Sequence, residues 1–146
     1  MIAEPKEIII TANVIPENRR MAFMPRLFGG WYNLAENHLC KTAEKLSADY
    51  TGGRWEFKEL SIGGGYLVPE CGERFNVSVA GNWFDGELSA DAAGIVFTLF
   101  TLNALIWHAY NNGYSHIQDK LITQQERLKM FAGQHEESGK IFAAID

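Results

Sequence analysis

The 146-residue sequence predicts one α+β domain in which a three-stranded antiparallel meander packs against about four helices. Two observations lead to this fold class. Between residues 55 and 79, apolar and polar residues alternate in short runs separated by turns, which is the pattern of antiparallel strands with short connections. On either side of this region, apolar residues recur every three or four positions, which is the period of helices with one buried face.

The N-terminal residues 1–13 are predicted to form an arm or an extra edge strand, and residues 14–146 to form the main domain. The β-branched run Glu7–Ile15 suits either an edge strand of the sheet or an arm that docks on the domain. A short helix is expected to begin at Pro16 and to stop near Pro25, because an interior proline removes a helical hydrogen bond.

The middle of the chain carries a helix and then the meander. An amphipathic helix is predicted from Trp31 to Tyr50, where a pair of glycines follows it. Strands are expected at Trp55–Lys58, Tyr66–Val68 and Phe75–Val79. Their apolar face must be covered, and the helices are the only elements available to cover it.

The most hydrophobic segment is predicted to be a helix from Ser89, as its N-cap, to about Tyr110. Asp91 would lie in its first turn, where the helix dipole favours an acid. The uncharged stretch Ala92–Tyr110 is long enough to cross a membrane. Polar residues interrupt this stretch and no Lys or Arg cluster flanks it, so we interpret it as a buried core helix.

Two further helical segments are predicted at the C-terminal end. The first is expected to begin with the capping box Ser115–Gln118. The second is a short apolar tail at Lys140–Ile145. Together with the preceding segments they give about four helices against the sheet.

The charge of the chain argues against two modes of action. With 13 basic and 18 acidic residues, the net charge of −5 favours no strong nucleic-acid binding. The acids are interleaved with Lys and Arg, so dense charge mimicry of DNA is also disfavoured. Cys40 and Cys71 form no CxxC motif and the N-terminus does not resemble a signal peptide, which indicates free thiols and a cytoplasmic protein.

Catalytic and ligand-binding motifs are missing from the sequence. The glycines at 63–65 lack phosphate-loop spacing, the four histidines form no HxxxH or HExxH pair, and no GxSxG motif occurs. We therefore predict no catalytic, metal-binding or cofactor-binding residues, no cofactor, and a protein that is not an enzyme. A hydrolase that uses the carboxylates near residue 85 is the weaker alternative.

The segment GNWFDGELSADAAGI (81–95) places aromatic and acidic residues in a predicted loop before the core helix. The start of the helix explains Ser89 and Asp91. It does not require Trp83, Asp85 or Glu87, and loops on a rigid scaffold commonly carry binding residues. We expect a contact surface for a partner here. Its candidate residues are Asn82, Trp83, Asp85, Glu87 and Asp91. The alternative is that Trp83 and Phe84 pack under the sheet as core.

Three blocks of the sequence carry a resemblance to a known family. VIPENRRMAFMPRLFG (14–29), DYTGGRWEFKELSIGGGYLVP (49–69) and GNWFDGELSADAAGI (81–95) resemble the signature blocks of the ArdB/KlcA antirestriction family, and the closing IFAAID (141–146) is similar as well. The blocks occur in order and span nearly all of the chain after residue 13. Ile62 departs from the family pattern, which has a polar residue before the glycines, and we expect this to alter a turn only.

The resemblance implies an α+β cytoplasmic protein of plasmids and other mobile elements that relieves type I restriction–modification without imitating DNA. The family has no established catalytic residues. We therefore expect a non-enzymatic inhibitor that acts through a protein component of the host restriction pathway, with no membrane association. The alternative is a DNA-binding accessory protein of a mobile element. Its basic face would consist of Arg19, Arg20, Arg26 and Arg54.

Overall fold

The computed structural model describes residues 7–146, which contain five strands and five α-helices. The strands are Ala12–Val14 (β1), Trp55–Leu60 (β2), Gly65–Pro69 (β3), Arg74–Val79 (β4) and Phe84–Ser89 (β5). The helices are Arg20–Phe28 (α1), Tyr32–Leu46 (α2), Ala90–Asn111 (α3), Ser115–Gln134 (α4) and Ser138–Ile145 (α5). All the strand pairs are antiparallel, so the predicted α+β class is confirmed.

The first sheet contains β1, β2 and β3 in that order. Ala12 pairs with Leu60, and Phe57 pairs with Leu67. Of the two predictions for the N-terminal segment 1–13, an edge strand is observed, at residues 12–14. The first six residues of that segment lie outside the described residues. Since β1 pairs only with β2, it closes one side of the sheet as an edge strand.

The predicted third strand of the meander, Phe75–Val79, is observed as β4, but its predicted pairing is wrong, because β4 pairs with β5 and not with β3. The physical reason is the position of α3. The backbone N–H of Leu67 in β3 donates to the Thr98 hydroxyl at 3.2 Å. A Cβ on Gly94 would lie only 2.4 Å from the Leu67 carbonyl oxygen. Helix α3 therefore occupies the part of β3 to which β4 would have had to bind.

The second sheet is the β4–β5 hairpin. Strand β5 lies in the segment that was expected to be a loop. Asp85, Gly86 and Glu87 are poor strand formers, so their local preference hides the strand. Pairing and burial override that preference, because Phe75 pairs with Leu88 and both side chains are fully buried. Segment 81–91 is thus a tight turn followed by a strand and the first turn of α3.

Helix α3 is the centre of the fold and packs against α2, α4, α5 and both sheets. Among the described residues, it is the one helix long and apolar enough to cross a membrane. However, 72% of its most apolar 18-residue stretch is buried inside the protein. This burial supports the prediction that α3 is a core helix and not a membrane span.

Two predicted helix boundaries need correction. Helix α1 continues through Pro25 to Phe28, because four of its side chains are buried and their packing outweighs the lost hydrogen bond. The freed acceptor belongs to Met21, which is exposed to solvent. The capping box at Ser115 is also wrong, since the N-cap of α4 is Tyr114 and no side chain caps it. By contrast, Ser89 caps α3 as predicted, accepting from Ala92 N at 3.1 Å.

Candidate contact surface on the β4–β5 hairpin

The outer face of the β4–β5 hairpin carries the predicted acids. Side chains alternate along β5, so that Leu88 enters the core while Asp85 and Glu87 point to solvent. Asp85 faces Ser78 across the pair and accepts its hydroxyl at 3.1 Å. Glu87 forms an ion pair with Arg74 at the other end of the hairpin. Two of the predicted acids therefore lie on one exposed polar face.

Trp83 projects from the turn between the two strands and is 92% exposed. Its φ of 63° places a non-glycine residue in the left-handed region, which is held only when the surrounding contacts fix it. Asn82 supplies those contacts: its amide donates to the Ala144 carbonyl of α5 at 2.7 Å and its oxygen accepts from Phe84 N at 3.0 Å. The turn is thereby tied to α5.

The alternative in which Trp83 packs as core is therefore wrong, whereas Phe84 is half-buried and packs against the core. Strand alternation explains the difference, because Phe84 is the first residue of β5 and Trp83 belongs to the turn. Both ends of the Asn82 amide are used within the protein, so this side chain positions Trp83. Its role as a partner contact stays a prediction.

A concavity of about 380 Å³ lies beside the turn, between α2, α3 and the end of β4. Its apolar walls include Leu46, Val79 and Phe100. Lys41 and Lys45, one helical turn apart on α2, also line it. The surface around Trp83 thus combines a projecting indole, an apolar hollow and cations on one side, with the acids of β5 on the hairpin face.

Asp91 lies apart from this surface, in a half-buried network at the start of α3. Its carboxylate accepts from Lys58 Nζ at 2.7 Å and from the Tyr66 hydroxyl at 2.8 Å. Its second oxygen is 2.9 Å from His135 Nε2. One carboxylate therefore joins β2, β3 and the segment between α4 and α5. The predicted position of Asp91 in the first turn of the helix is confirmed, but its contacts are with Lys58, Tyr66 and His135 and not with the acids of β5.

The pKa values in this network follow from its contacts. Burial would raise the pKa of Asp91, but hydrogen bonds from His135, Lys58 and Tyr66 outweigh it and lower the pKa to about 2. The hydrogen bond to Asp91 raises the pKa of His135, against the opposing effect of burial. Burial, with the nearby charge of Asp91, raises the pKa of the Tyr66 hydroxyl. Asp91 is therefore a charged structural group at neutral pH.

A second polar contact fastens the same region. Ser89 donates its backbone N–H to Glu137 at 2.9 Å, and its hydroxyl also bonds the Glu137 carboxylate. Burial would raise the pKa of Glu137, but the hydrogen bonds from Ser89 lower it. The roles of His135 and Glu137 could not be predicted from a local sequence pattern, because 44 or more residues separate them from their partners Asp91 and Ser89.

Three of the four arginines of the alternative basic face contact other side chains. Arg54 pairs with Glu17 at 2.5 Å, and Arg26 lies 3.9 Å from Glu59. The guanidinium of Arg20 lies 5.2 Å from the centre of the Phe57 ring. Within residues 7–146, no group of three or more His, Cys, Asp or Glu side chains is arranged to hold a metal ion.

The chain is similar to proteins of a known family. Residues 48–146 match the family model described as antirestriction protein. Two KlcA antirestriction proteins of Escherichia coli are 40% and 38% identical, with 94% of this chain and 95% and 94% of those proteins covered. A solved structure matches with a TM-score of 0.85 and 36% identity, covering 99% of this chain and 100% of the other. It is described as KlcA and ArdB, with antirestriction activity against type I systems in vivo but not in vitro.

Proposed function

The chain belongs to the antirestriction protein family, and from this premise we propose that it relieves type I restriction of incoming DNA as a non-enzymatic inhibitor. It acts in the cytoplasm through a protein component of the host restriction pathway. The main observation in support of the proposed contact surface is the exposed Trp83 on its fixed turn. Tryptophan is enriched among the residues that dominate protein interfaces.

The activity described for the KlcA and ArdB structure supports action through a cellular component. That activity is found in vivo but not in vitro. An inhibitor that blocked the restriction enzyme by itself would work on the purified enzyme. If this chain acts as its relative does, a further component of the cell has to be present, and a protein that displays a fixed contact surface is suited to binding it.

The composition of the hairpin surface supports a protein partner over nucleic acid. Asp85 and Glu87 would repel phosphates, while Trp83 offers apolar area with little conformational entropy to lose. The hollow at Leu46 and Phe100 adds an apolar recess next to the turn. A partner with an apolar segment would bury Trp83 and fill that recess.

Replacing Trp83→Ala tests this surface. Because the side chain is 92% exposed, the free energy of unfolding should change by less than about 1 kcal/mol. If Trp83 is an interface anchor, plating of unmodified phage on a host with an active type I system should fall at least about tenfold relative to the parent protein. Trp107→Ala is the matched control, since it removes a 56% exposed tryptophan from α3.

The same assay separates the other outcomes. Asp85→Asn with Glu87→Gln keeps shape and stability, because exposed charges contribute only about 0–1 kcal/mol, and should also reduce relief. Full relief by both hairpin variants, with soluble protein confirmed, would exclude this surface. Inhibition of a purified type I enzyme by the purified chain alone would instead exclude the requirement for a separate cellular partner.

A further inference from the structure

A second concavity, of about 410 Å³, lies between the end of α1 and the first half of α4. One wall is formed by the segment Pro25–Gly30, and the other by the face of α4 that carries His116, Lys120 and Arg127. These three positions are separated by four and seven residues, which places them on one side of the helix. The hollow shares no lining residue with the β4–β5 hairpin.

The lining of this hollow is strongly basic although the chain is acidic overall. Arg26, Lys120 and Arg127 all line it, and no Asp or Glu does. Among the described residues, neither Lys120 nor Arg127 has a carboxylate within ion-pair distance. Arg26 reaches only Glu59, at 3.9 Å. Three cations therefore line one recess in a protein with net charge −5.

The cationic side chains of the hollow are hydrogen-bond donors, although Gln124, whose buried Oε1 has no hydrogen-bond partner among the described residues, also lines it. The carbonyl oxygen of Pro25 accepts from Gly29 N, and that of Arg26 accepts from Gln124 Nε2 at 3.5 Å. Two acceptors at the end of α1 are thus already used. The guanidinium groups of Arg26 and Arg127 and the ammonium group of Lys120 offer the donor chemistry that binds phosphate oxygens.

The guanidinium of Arg127 lies beside the turn between β2 and β3. A Cβ on Gly63 would lie 3.1 Å from an Arg127 guanidinium nitrogen, so the glycine leaves room for that group. The same turn contacts Gln124 through Gly64.

We propose that the basic hollow between α1 and α4 binds a phosphomonoester dianion. Its volume falls within the range of small-molecule sites, about 300–1,000 Å³. The recess fits a terminal phosphate, whose two charges match the converging cations better than a single carboxylate would. This phosphate would come from a small phosphorylated compound or from the 5′ end of a nucleic acid.

Titration of the labelled full chain, followed by amide NMR at constant ionic strength, tests the proposal. Inorganic phosphate and adenosine monophosphate should shift the amide signals around Lys120 and Arg127, whereas adenosine and chloride should not. Lys120→Gln with Arg127→Gln should weaken phosphate binding at least about tenfold, because each charge-assisted hydrogen bond is worth about that much. Lys41→Gln with Lys45→Gln, on α2, is the matched control and should bind phosphate normally.

The proposal would be overturned by the absence of shifts with inorganic phosphate, by equal shifts with chloride or adenosine, or by unchanged affinity in the Lys120 and Arg127 variant. A short oligonucleotide with and without a 5′ phosphate distinguishes the two sources. Binding that requires the 5′ phosphate supports a nucleic-acid end, and exclusion of both oligonucleotides while adenosine monophosphate binds supports a free small compound. Equally tight binding of the unphosphorylated oligonucleotide would indicate internal phosphates and contradict the proposed terminal site.

Discussion

Two serines near helix starts differ in what they do. Ser89 accepts from Ala92 N at 3.1 Å and also bonds Glu137, whereas Ser115 makes no cap bond at the start of α4. The local sequence suggests a cap in both places. The observed backbone shows that Ser115 is not a cap, because Tyr114 occupies the N-cap position of α4.

Replacement of each serine by alanine should therefore give different results. Ser89→Ala removes a helix cap and a partner of Glu137, so unfolding should become easier by about 0.5–2 kcal/mol. Ser115→Ala should change stability by less than about 0.5 kcal/mol, since the side chain is exposed and makes no cap hydrogen bond. Urea denaturation of the two variants measures both values. Equal losses would contradict the assignment of the caps.

The packing of α3 against β3 depends on one glycine. A Cβ at Gly94 would lie 2.4 Å from the Leu67 carbonyl oxygen and 2.9 Å from Val68 Cα, which are distances that real Cβ atoms do not reach. Both contacts are backbone atoms and cannot turn aside. The helix has to move away from the sheet if any side chain is placed there.

Gly94→Ala should consequently destabilise the protein by about 1–3 kcal/mol, even though alanine is the better helix former. Gly133→Ala is the matched control in α4, where a Cβ would meet nothing within 4 Å. That variant should be unchanged or more stable by up to about 1 kcal/mol. Thermal unfolding of both would reveal the opposite signs. A stabilised Gly94→Ala variant would show that α3 is not seated as described.

The same elements show how far the sequence could predict the fold. The period of the apolar residues located the helices and strands β2, β3 and β4, and Ser89 located the start of α3, since these signals are local. Strand β5 and the pairing of β4 were missed, because they depend on where α3 lies relative to β3. The exposure of Trp83 depends on the tie between Asn82 and α5, which is 62 residues away.

At the scale of the whole molecule, Asp91 connects β2, β3 and the α4–α5 junction through one charged group. Its pKa is lowered from 3.8 to about 2 in the folded protein. A carboxyl whose folded pKa is depressed stabilises the fold above its unfolded pKa and loses that contribution as the pH falls through the folded pKa. The pKa of Glu137 is lowered as well, so it acts in the same direction.

Stability should therefore decline as the pH falls from about 4 to about 2, with Asp91 accounting for about 2 kcal/mol of the loss. Asp91→Asn should be less stable than the parent protein at neutral pH, because Lys58 and His135 lose their counter-charge, and the difference should shrink as the parent is acidified. Asp85→Asn is the control, since that carboxylate is exposed and has only Ser78 as a partner. Urea midpoints measured at several pH values test this. A constant difference between Asp91→Asn and the parent down to pH 2 would mean that the carboxylate does not hold these elements together through its charge.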